Sequence, residues 1–403
     1  MVTNSDVQVD IVVIGAGPAG SAAAVSALSS RASVAIIDKA SFPRDKLCGG
    51  LITGRCARLI KDVFAREIDH ELFDTRGTFE FFMGSTCLAK MRDVPPAHLT
   101  MRWDFDNQLF QQALTQGAHD YSGHRIKSLN LEKSNVVLEC GTSLRFGCLI
   151  GADGVRSRVA EALFGQSYEP SQIGFALEIE DSSQPSDPDA PIRVDFGAAA
   201  WGYGWSFPKR HGTTIGVGGL HPENPDLKAK LAQYADHLGR NTKAKVKGHF
   251  LPFGGFRNRP GRDNVLLVGD AAGFVDPITG EGIGYAIQSG GLAGRAAAEA
   301  VAAGKPEKAF ARYQPATRRI RISLWCARAL RPVMFMPRLQ TFFKSAFKSS
   351  RTLKTDYMRL LAGEVEYPQL MLRASLRLPF AAMRFALRKS ARSERKTHGQ
   401  RTR

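Results

Sequence analysis

A short apolar run, Val9 to Ile14, leads straight into Gly15-Ala16-Gly17-Pro18-Ala19-Gly20, and no other feature limits the possible folds of this chain more. An alanine-rich stretch to about Leu28 reads as helix, and Ser33 to Ile37 reads as a second buried strand closed by Asp38. Strand, glycine turn, helix and strand make one βαβ unit. Each glycine has a job: Gly15 permits the tight turn, Gly17 lets backbone approach a pyrophosphate, and Gly20 allows close helix–strand packing. The helix N-terminus offers free N–H groups to an anion. Asp38 stands where an acid accepts ribose hydroxyls, and an acid there disfavours a 2′-phosphate.

The glycine turn is a weak signal alone, so the rest of the chain decides what it binds. Gly151-Ala152-Asp153-Gly154 follows an apolar run, and Gly269-Asp270-Ala271-Ala272-Gly273 follows the run Val265 to Val268. Downstream stand Asp276-Pro277 and Gly280-Glu281-Gly282-Ile283. Asp270 is placed to accept from ribityl or ribose hydroxyls, and a helix starting near Gly280 would aim its N–H groups at a flavin pyrimidine edge. Between these elements, Ile173–Glu180, Ile192–Phe196, Trp201–Phe207 and Thr213–Val217 read as strands of an antiparallel sheet. Gly290-Gly291-Leu292-Ala293-Gly294 lies inside an alanine-rich helix and reads as close helix packing, not as a second nucleotide site.

Together these motifs resemble the flavin-dependent hydroxylase superfamily. Two further segments, Pro43-Arg44-Asp45-Lys46-Leu47-Cys48-Gly49-Gly50 and Tyr203-Gly204-Trp205-Ser206-Phe207-Pro208-Lys209, resemble the geranylgeranyl reductase family. That family reduces double bonds in prenyl chains of lipids and chlorophyll precursors. The resemblance implies FAD as cofactor and an α/β fold: a Rossmann-like FAD-binding domain, an inserted antiparallel-sheet substrate domain and a C-terminal helical extension. The expected boundaries are residues 1–75, 100–165 and 262–310 for the FAD domain, 76–99 and 166–261 for the substrate domain, and 311–403 for the extension. It also implies FAD contacts at Gly15, Ala16, Gly17, Ala19 and Gly20, with Asp38 and Lys39 on the adenosine side. Cys48 and Gly49 are implied near the flavin, with Asp270, Gly280, Gly282 and Ile283 completing the site. Arg102 matches the arginine of the family's R-x-x-F-D-x-x-L helix start, with Phe105, Asp106 and Leu109.

A prenyl double bond is unpolarised, so a proton must reach one carbon as hydride reaches the other, in a pocket that excludes water. Trp201, Tyr203, Trp205, Phe207 and Pro208 are the expected substrate lining. Each aromatic is equally well read alone as sheet core. Cys48, beside Arg44 and Lys46, is one candidate proton donor or redox group, and Tyr203 is the other; a small side chain packed against flavin is the plainer reading of Cys48. The electron donor is NAD(P)H bound without its own fold, or a reduced carrier. Rival readings are an FAD monooxygenase or halogenase on the same fold, and a non-catalytic flavin-binding sensor at the membrane. No CxxC pair or HExxH spacing suggests a metal.

Charge is unevenly placed. From Arg312 to the last residue there are 22 lysines and arginines against four acids, while the 33 basic and 34 acidic residues before that point nearly cancel. Within the basic segment Leu339, Phe342, Phe343, Ala346, Phe347, Leu353, Tyr357, Leu360 and Leu361 follow helical spacing. Leu372, Leu376, Phe380, Met383 and Leu387 do likewise, with Arg373, Arg377, Arg384 and Arg388 offset from them. Two readings stay open: helices packed on the body with solvated arginines, or peripheral contact with an anionic membrane that carries the isoprenoid or lipid substrate. Nucleic acid is not expected, because no groove-reading motif is present. The first core strand begins too early for a secretory leader, so a cytoplasmic location, peripheral at the inner membrane face, is the expectation.

Overall fold

The computed structural model describes residues 6–183, 186–240, 244–373 and 375–376. Strand β1 (Asp6–Ile14), helix α1 (Pro18–Leu28) and strand β2 (Val34–Asp38) form the βαβ unit read from the glycine spacing. β1 lies centrally in an eight-stranded sheet, parallel to β2 on one side and to Ser143–Gly151 on the other. His119–Ser122 extends the parallel set beyond β2, and Val265–Leu267 extends it beyond Ser143–Gly151. All five strands therefore point their carboxyl ends to the same side. In open parallel sheets that edge is where ligands bind.

The helix Ile283–Ala302 crosses this sheet against α1. A Cβ on Gly290 or Gly294 would stand 2.1 Å from the Ala19 or Ala23 carbonyl oxygen, so the glycines of this helix serve close packing, as their position inside a helix implies.

A second, seven-stranded sheet runs in the order Lys247–Leu251, Gly174–Asp181, Gly212–Leu220, Tyr203–Lys209, Ile192–Asp195, Phe79–Met83, Thr86–Met91. It is antiparallel except where Ile192–Asp195 pairs in parallel with Phe79–Met83. The four strands expected from the sequence are present with ends shifted by up to a few residues. Trp201 is the largest departure. It sits in the turn before its strand with φ of 51°, and its carbonyl accepts from Arg331 at 3.1 Å.

From Arg318 onward the chain is helical: Arg318–Phe335, Pro337–Ser349 and Arg351–Leu361. Phe335, Phe343, Phe347, Met358 and Leu361 are buried in one cluster with Phe79, Phe81 and Phe196 of the second sheet. Phe347 meets Phe81 edge-on at 5.4 Å, and Phe343 meets Phe196 at 5.5 Å. Burying such a ring contributes about 2 kcal/mol by area alone. The apolar faces of these three helices thus pack largely on the body, with Leu353 exposed, and Leu372 and Leu376 of the second stripe are exposed as well. The stripe positions Phe380, Met383 and Leu387, with Arg377, Arg384 and Arg388, lie outside the described residues. No helix among the described residues is long and apolar enough to cross a membrane.

Candidate active site

At the first end of the cleft the site is made of backbone. Gly15 has φ of 104°, and a Cβ there would lie 2.3 Å from the Ala152 oxygen of the Gly-Ala-Asp-Gly turn. A Cβ on Gly20 would lie 1.7 Å from the Gly15 oxygen. Asp38 accepts from the Ala16 amide at 2.8 Å and from the Ala40 amide at 2.9 Å, which ties the end of β2 to the glycine turn. Gly17 caps α1 with no side chain bonded to the first-turn amides. Ala19 is buried between α1 and the Gly269 turn, whereas Lys39 is exposed.

Cations crowd this turn. Arg44 Nη2 lies 3.2 Å from Asp106 and would be 3.3 Å from a Cβ on Gly17, while its buried Nη1 has no partner. Arg102 opens the helix Arg102–Thr115 and forks onto Asp106 at 2.6 and 2.7 Å, one turn along. Burial opposes the Arg102 charge, but Asp106 and the neighbouring Cys48 more than offset it. Lys46, beside His249 and near Asp270, Arg102 and Arg44, is lowered to about 8, chiefly by burial. Burial and these cations hold the His249 imidazole neutral, at about 3. Asp270 is itself pushed up by burial.

The other end is made of side chains drawn from distant parts of the chain. The Cys48 amide donates to Glu178 Oε1 at 2.9 Å, and the Gly50 amide reaches Cys48 Sγ at 3.4 Å. A Cβ on Gly49 would meet Phe207 at 2.7 Å and Trp205 Nε1 at 3.3 Å, so the Cys-Gly-Gly turn packs directly on the aromatic strand. Tyr203, Trp205 and Phe207 alternate onto one face of that strand; Pro208 falls on the opposite face, its carbonyl accepting from Arg76 at 3.4 Å. The Trp205 indole covers Gly216, where a Cβ would lie 2.1 Å from the ring.

Gly216 pairs with Trp205 on one side and with Glu178 on the other, which sets Glu178 and Trp205 on the same sheet face. Glu178 is 1% exposed, and neither its Oε2 nor Trp205 Nε1 has a partner. Burial, with Glu180 adding, pushes the Glu178 carboxyl up to about 7 against the opposing pull of Lys209 and the Cys48 amide. Residue types and spacing did not single out Glu178. The available signal was the row of small residues around it: Ala176 on its own strand and Gly216 and Gly218 opposite, with the Trp205 indole laid over Gly216.

The Tyr203 hydroxyl donates to the Thr279 carbonyl, and burial raises its pKa further above the usual phenol value. A Cβ on Gly280, whose φ is 70°, would lie 2.5 Å from that hydroxyl. Asp276 fixes the same loop, accepting from the Ile278 and Thr279 amides and from the Tyr367 hydroxyl. The loop ends at Gly282 and Ile283, where the long helix begins beside Asp270.

Comparisons with known proteins identify relatives of this chain. A family model described as FAD dependent oxidoreductase matches residues 10–137. A menaquinone reductase of Mycolicibacterium smegmatis is 32% identical over 71% of this chain and 75% of its own length. A digeranylgeranylglycerophospholipid reductase of Methanopyrus kandleri is 32% identical over 76% of this chain and 85% of its own. This chain belongs to the geranylgeranyl reductase family of FAD-dependent oxidoreductases. In fold it is similar to a geranylgeranyl bacteriochlorophyll reductase-like protein from Thermoplasma acidophilum, with a TM-score of 0.76 at 20% identity, covering 92% of this chain and 99% of that one.

FAD is accordingly the cofactor, and the residues present fit it. The glycine turn leaves room that any Cβ would fill. Arg44 Nη1, buried without a partner among the described residues, and Lys46, whose charge burial weakens, are the groups a pyrophosphate would satisfy.

Proposed function

We propose that this reductase saturates carbon–carbon double bonds in the isoprenoid chain of a lipid. One observation carries the reading: the Cys-Gly-Gly turn packs on the aromatic strand and donates to the buried acid Glu178, while Tyr203 of that strand holds the loop that leads to Gly282. Bound FAD in its reduced form supplies hydride. The chain's own residues do the rest. Gly15, Ala16, Gly17, Ala19 and Gly20, with Asp38, Lys39, Arg44, Lys46 and Arg102, hold the nucleotide portion. Asp270, Gly280, Gly282 and Ile283 position the ring system, and the helix N-terminus at Gly282 favours negative charge there. Trp205 and Phe207 present apolar faces to an extended chain and exclude water, with Trp201 at the mouth.

The proton is the harder part. Glu178 Oε2 is the group that holds it, since a carboxyl titrating near 7 is protonated in part at neutral pH and is not tied by a second bond. Cys48, whose amide holds the other oxygen, is the neighbouring site through which a proton can pass. Tyr203 has the different role of holding the Thr279–Gly280 loop, because its hydroxyl is already committed there.

Peripheral membrane contact belongs to this reading, on a surface other than the stripes expected from the sequence. The first of those stripes faces inward apart from Leu353, while Leu372 and Leu376 of the second are exposed. The outer side of helix Arg318–Phe335 instead exposes Ile322 (41%) and Trp325 (55%) among Arg318, Arg319 and Arg321. Binding to anionic vesicles, and its loss in Trp325→Ala, tests it.

The decisive experiment is anaerobic. Photoreduced protein is mixed with prenylated lipid, flavin reoxidation is followed, and the lipid is weighed by mass spectrometry. Reoxidation with a gain of two hydrogens is expected. Flavin that stays reduced until air is admitted, then yields an oxygenated lipid, would replace this reading with the monooxygenase one. No lipid change under either condition would favour a sensor.

A further inference from the structure

The nucleotide turn and the prenyl pocket leave one feature of the molecule unused. A cavity of about 350 Å3 lies where four segments converge: Gln166–Gln172, the loop Pro252–Arg259, the turn Asp270–Gly273 and helix Arg318–Phe335. Three guanidinium groups line it, those of Arg257, Arg259 and Arg328. No residue of the Gly15–Gly20 turn does, nor do Arg44, Lys46 or Arg102.

None of the three arginines makes an ion pair among the described residues, although fifteen such pairs occur elsewhere in the molecule. Each is instead laid on an aromatic ring. Arg257 lies 4.6 Å from the Phe164 centroid, Arg259 lies 5.7 Å from Phe310, and Arg328 lies 5.9 Å from Phe256. Rings hold a guanidinium by its face and leave its N–H edge free for an anion. Arg257 is fixed further by donating to the Gln166 and Ser167 carbonyls at 2.6 and 3.1 Å, and burial without a counter-charge lowers its pKa. Two acids border the space. Glu169 is exposed and accepts from the Ser171 hydroxyl, and the charges that act on Asp270 are those of Lys46 and Arg102. Neither neutralises the arginines.

We propose that this cavity is a second anion site, built to take the phosphate ester of a ligand other than FAD. Several forked donors lining one small cavity match phosphate oxygens better than a single carboxylate does. Its volume falls in the range of small-molecule sites. The cavity reaches Asp270 and Gly273, so a ligand anchored by its phosphate there extends toward the ring-binding loop. Two ligands of the proposed reaction carry that chemistry: a phosphorylated nicotinamide donor of hydride, and a prenyl lipid with a phosphate headgroup. To this extent the inference rests on the proposed reduction.

The test uses the full chain loaded with FAD, and the variants Arg328→Gln, Arg259→Gln and Arg257→Gln. Arg328 and Arg259 donate no hydrogen bond to protein among the described residues, so their variants read the cavity even if Arg257→Gln disturbs its loop. In one arm, the dissociation constant of NADPH is taken from the concentration dependence of anaerobic flavin reduction, beside 1-benzyl-1,4-dihydronicotinamide, which has no phosphate. In the other, equilibrium binding of geranylgeranyl diphosphate is compared with that of geranylgeraniol. Loss of a charge-assisted pair predicts a weakening of about tenfold for the phosphorylated ligand in one arm, with the phosphate-free ligand unaffected. The arm that responds names the source. Unchanged affinity for both phosphorylated ligands in all three variants overturns the proposal. So does equal weakening of phosphate-free ligands, or loss of FAD itself, which would make the cavity part of the cofactor site. Mass gain of lipid on photoreduced wild type is scored separately, so failure of the reduction and failure of this site remain distinct.

Discussion

The two ends of the cleft are built on opposite plans. The nucleotide end is backbone: three glycines, a helix terminus and one acid, all within the stretch from Gly15 to Asp38. The other end, where we propose the prenyl chain binds, is side chains that meet from positions as far apart as Cys48, Glu178, Trp205 and Tyr203, against the loop at Gly280. A backbone site tolerates no added atom, whereas a side-chain site tolerates substitution but loses chemistry. The largest expected effect therefore belongs to the first plan. In Gly20→Ala the new Cβ would stand 1.7 Å from the Gly15 oxygen, a backbone atom that cannot move without opening the turn. We expect a loss of about 3 kcal/mol or more in stability together with failure to retain FAD, read by thermal melting and flavin absorbance. Gly20→Ala protein that melts normally and keeps its flavin would break the contrast at its strongest point.

At the prenyl end the expected loss is catalytic. Glu178→Gln keeps the acceptor for the Cys48 amide but removes the proton, so lipid reduction should fall about a hundredfold while FAD stays bound. Its pH behaviour sharpens the test. An acid raised to about 7 is protonated below that value, so wild-type reduction should decline as pH rises through 7, and the variant should lose that limb. Stability has a matching sign. Because the folded carboxyl titrates above its unfolded value, stability present at low pH is lost as pH rises from the unfolded pKa through about 7. Above pH 7, Glu178→Gln should therefore melt higher than wild type, and the gain should vanish at low pH.

The same contrast decides how much can be read from sequence. The nucleotide end is local, so a single spacing carried its fold, while its ligand class needed the Gly-Asp motifs downstream. The Cys-Gly-Gly turn and the aromatic strand were legible as motifs, but not their direct contact through Gly49. Glu178 was not legible, because Leu177-Glu178-Ile179-Glu180 gives no sign which acid is buried; the neighbouring edge strand Lys247–Leu251 and the Cys48 turn settle that only in three dimensions. The helices after Arg318 show the same limit. Their periodicity announced an apolar face, yet a period does not say whether lipid or the ring cluster of Phe81 and Phe196 will cover it.

Between the two plans stands Lys46, a side chain serving the backbone site. At about 8 its charge fades in the mildly alkaline range, in surroundings that include Asp270, Arg102, Arg44, Cys48 and His249. Retention of FAD should weaken severalfold as pH rises from 7 to 9, because the cation facing the pyrophosphate is discharged. Lys46→Arg, charged throughout, should remove that dependence. An unchanged pH profile in the variant would assign the anion to Arg44 and Arg102 alone.

The smallest effect is expected from Tyr203→Phe, and it separates positioning from proton transfer. The variant keeps the ring that meets Trp205 edge-on at 5.9 Å and loses only the hydroxyl bonded to the Thr279 carbonyl. A single buried hydrogen bond is worth about 1 kcal/mol, so a modest fall in melting temperature and a less than tenfold drop in lipid reduction should follow. The pH limb near 7 should survive, since it belongs to Glu178. If Tyr203→Phe instead abolishes turnover and erases that limb, the tyrosine carries the proton and Glu178 is a buried partner of the Cys48 amide. The proposed prenyl end would then hold its proton on the first residue of the aromatic strand, where its hydroxyl meets the loop that leads to Gly282.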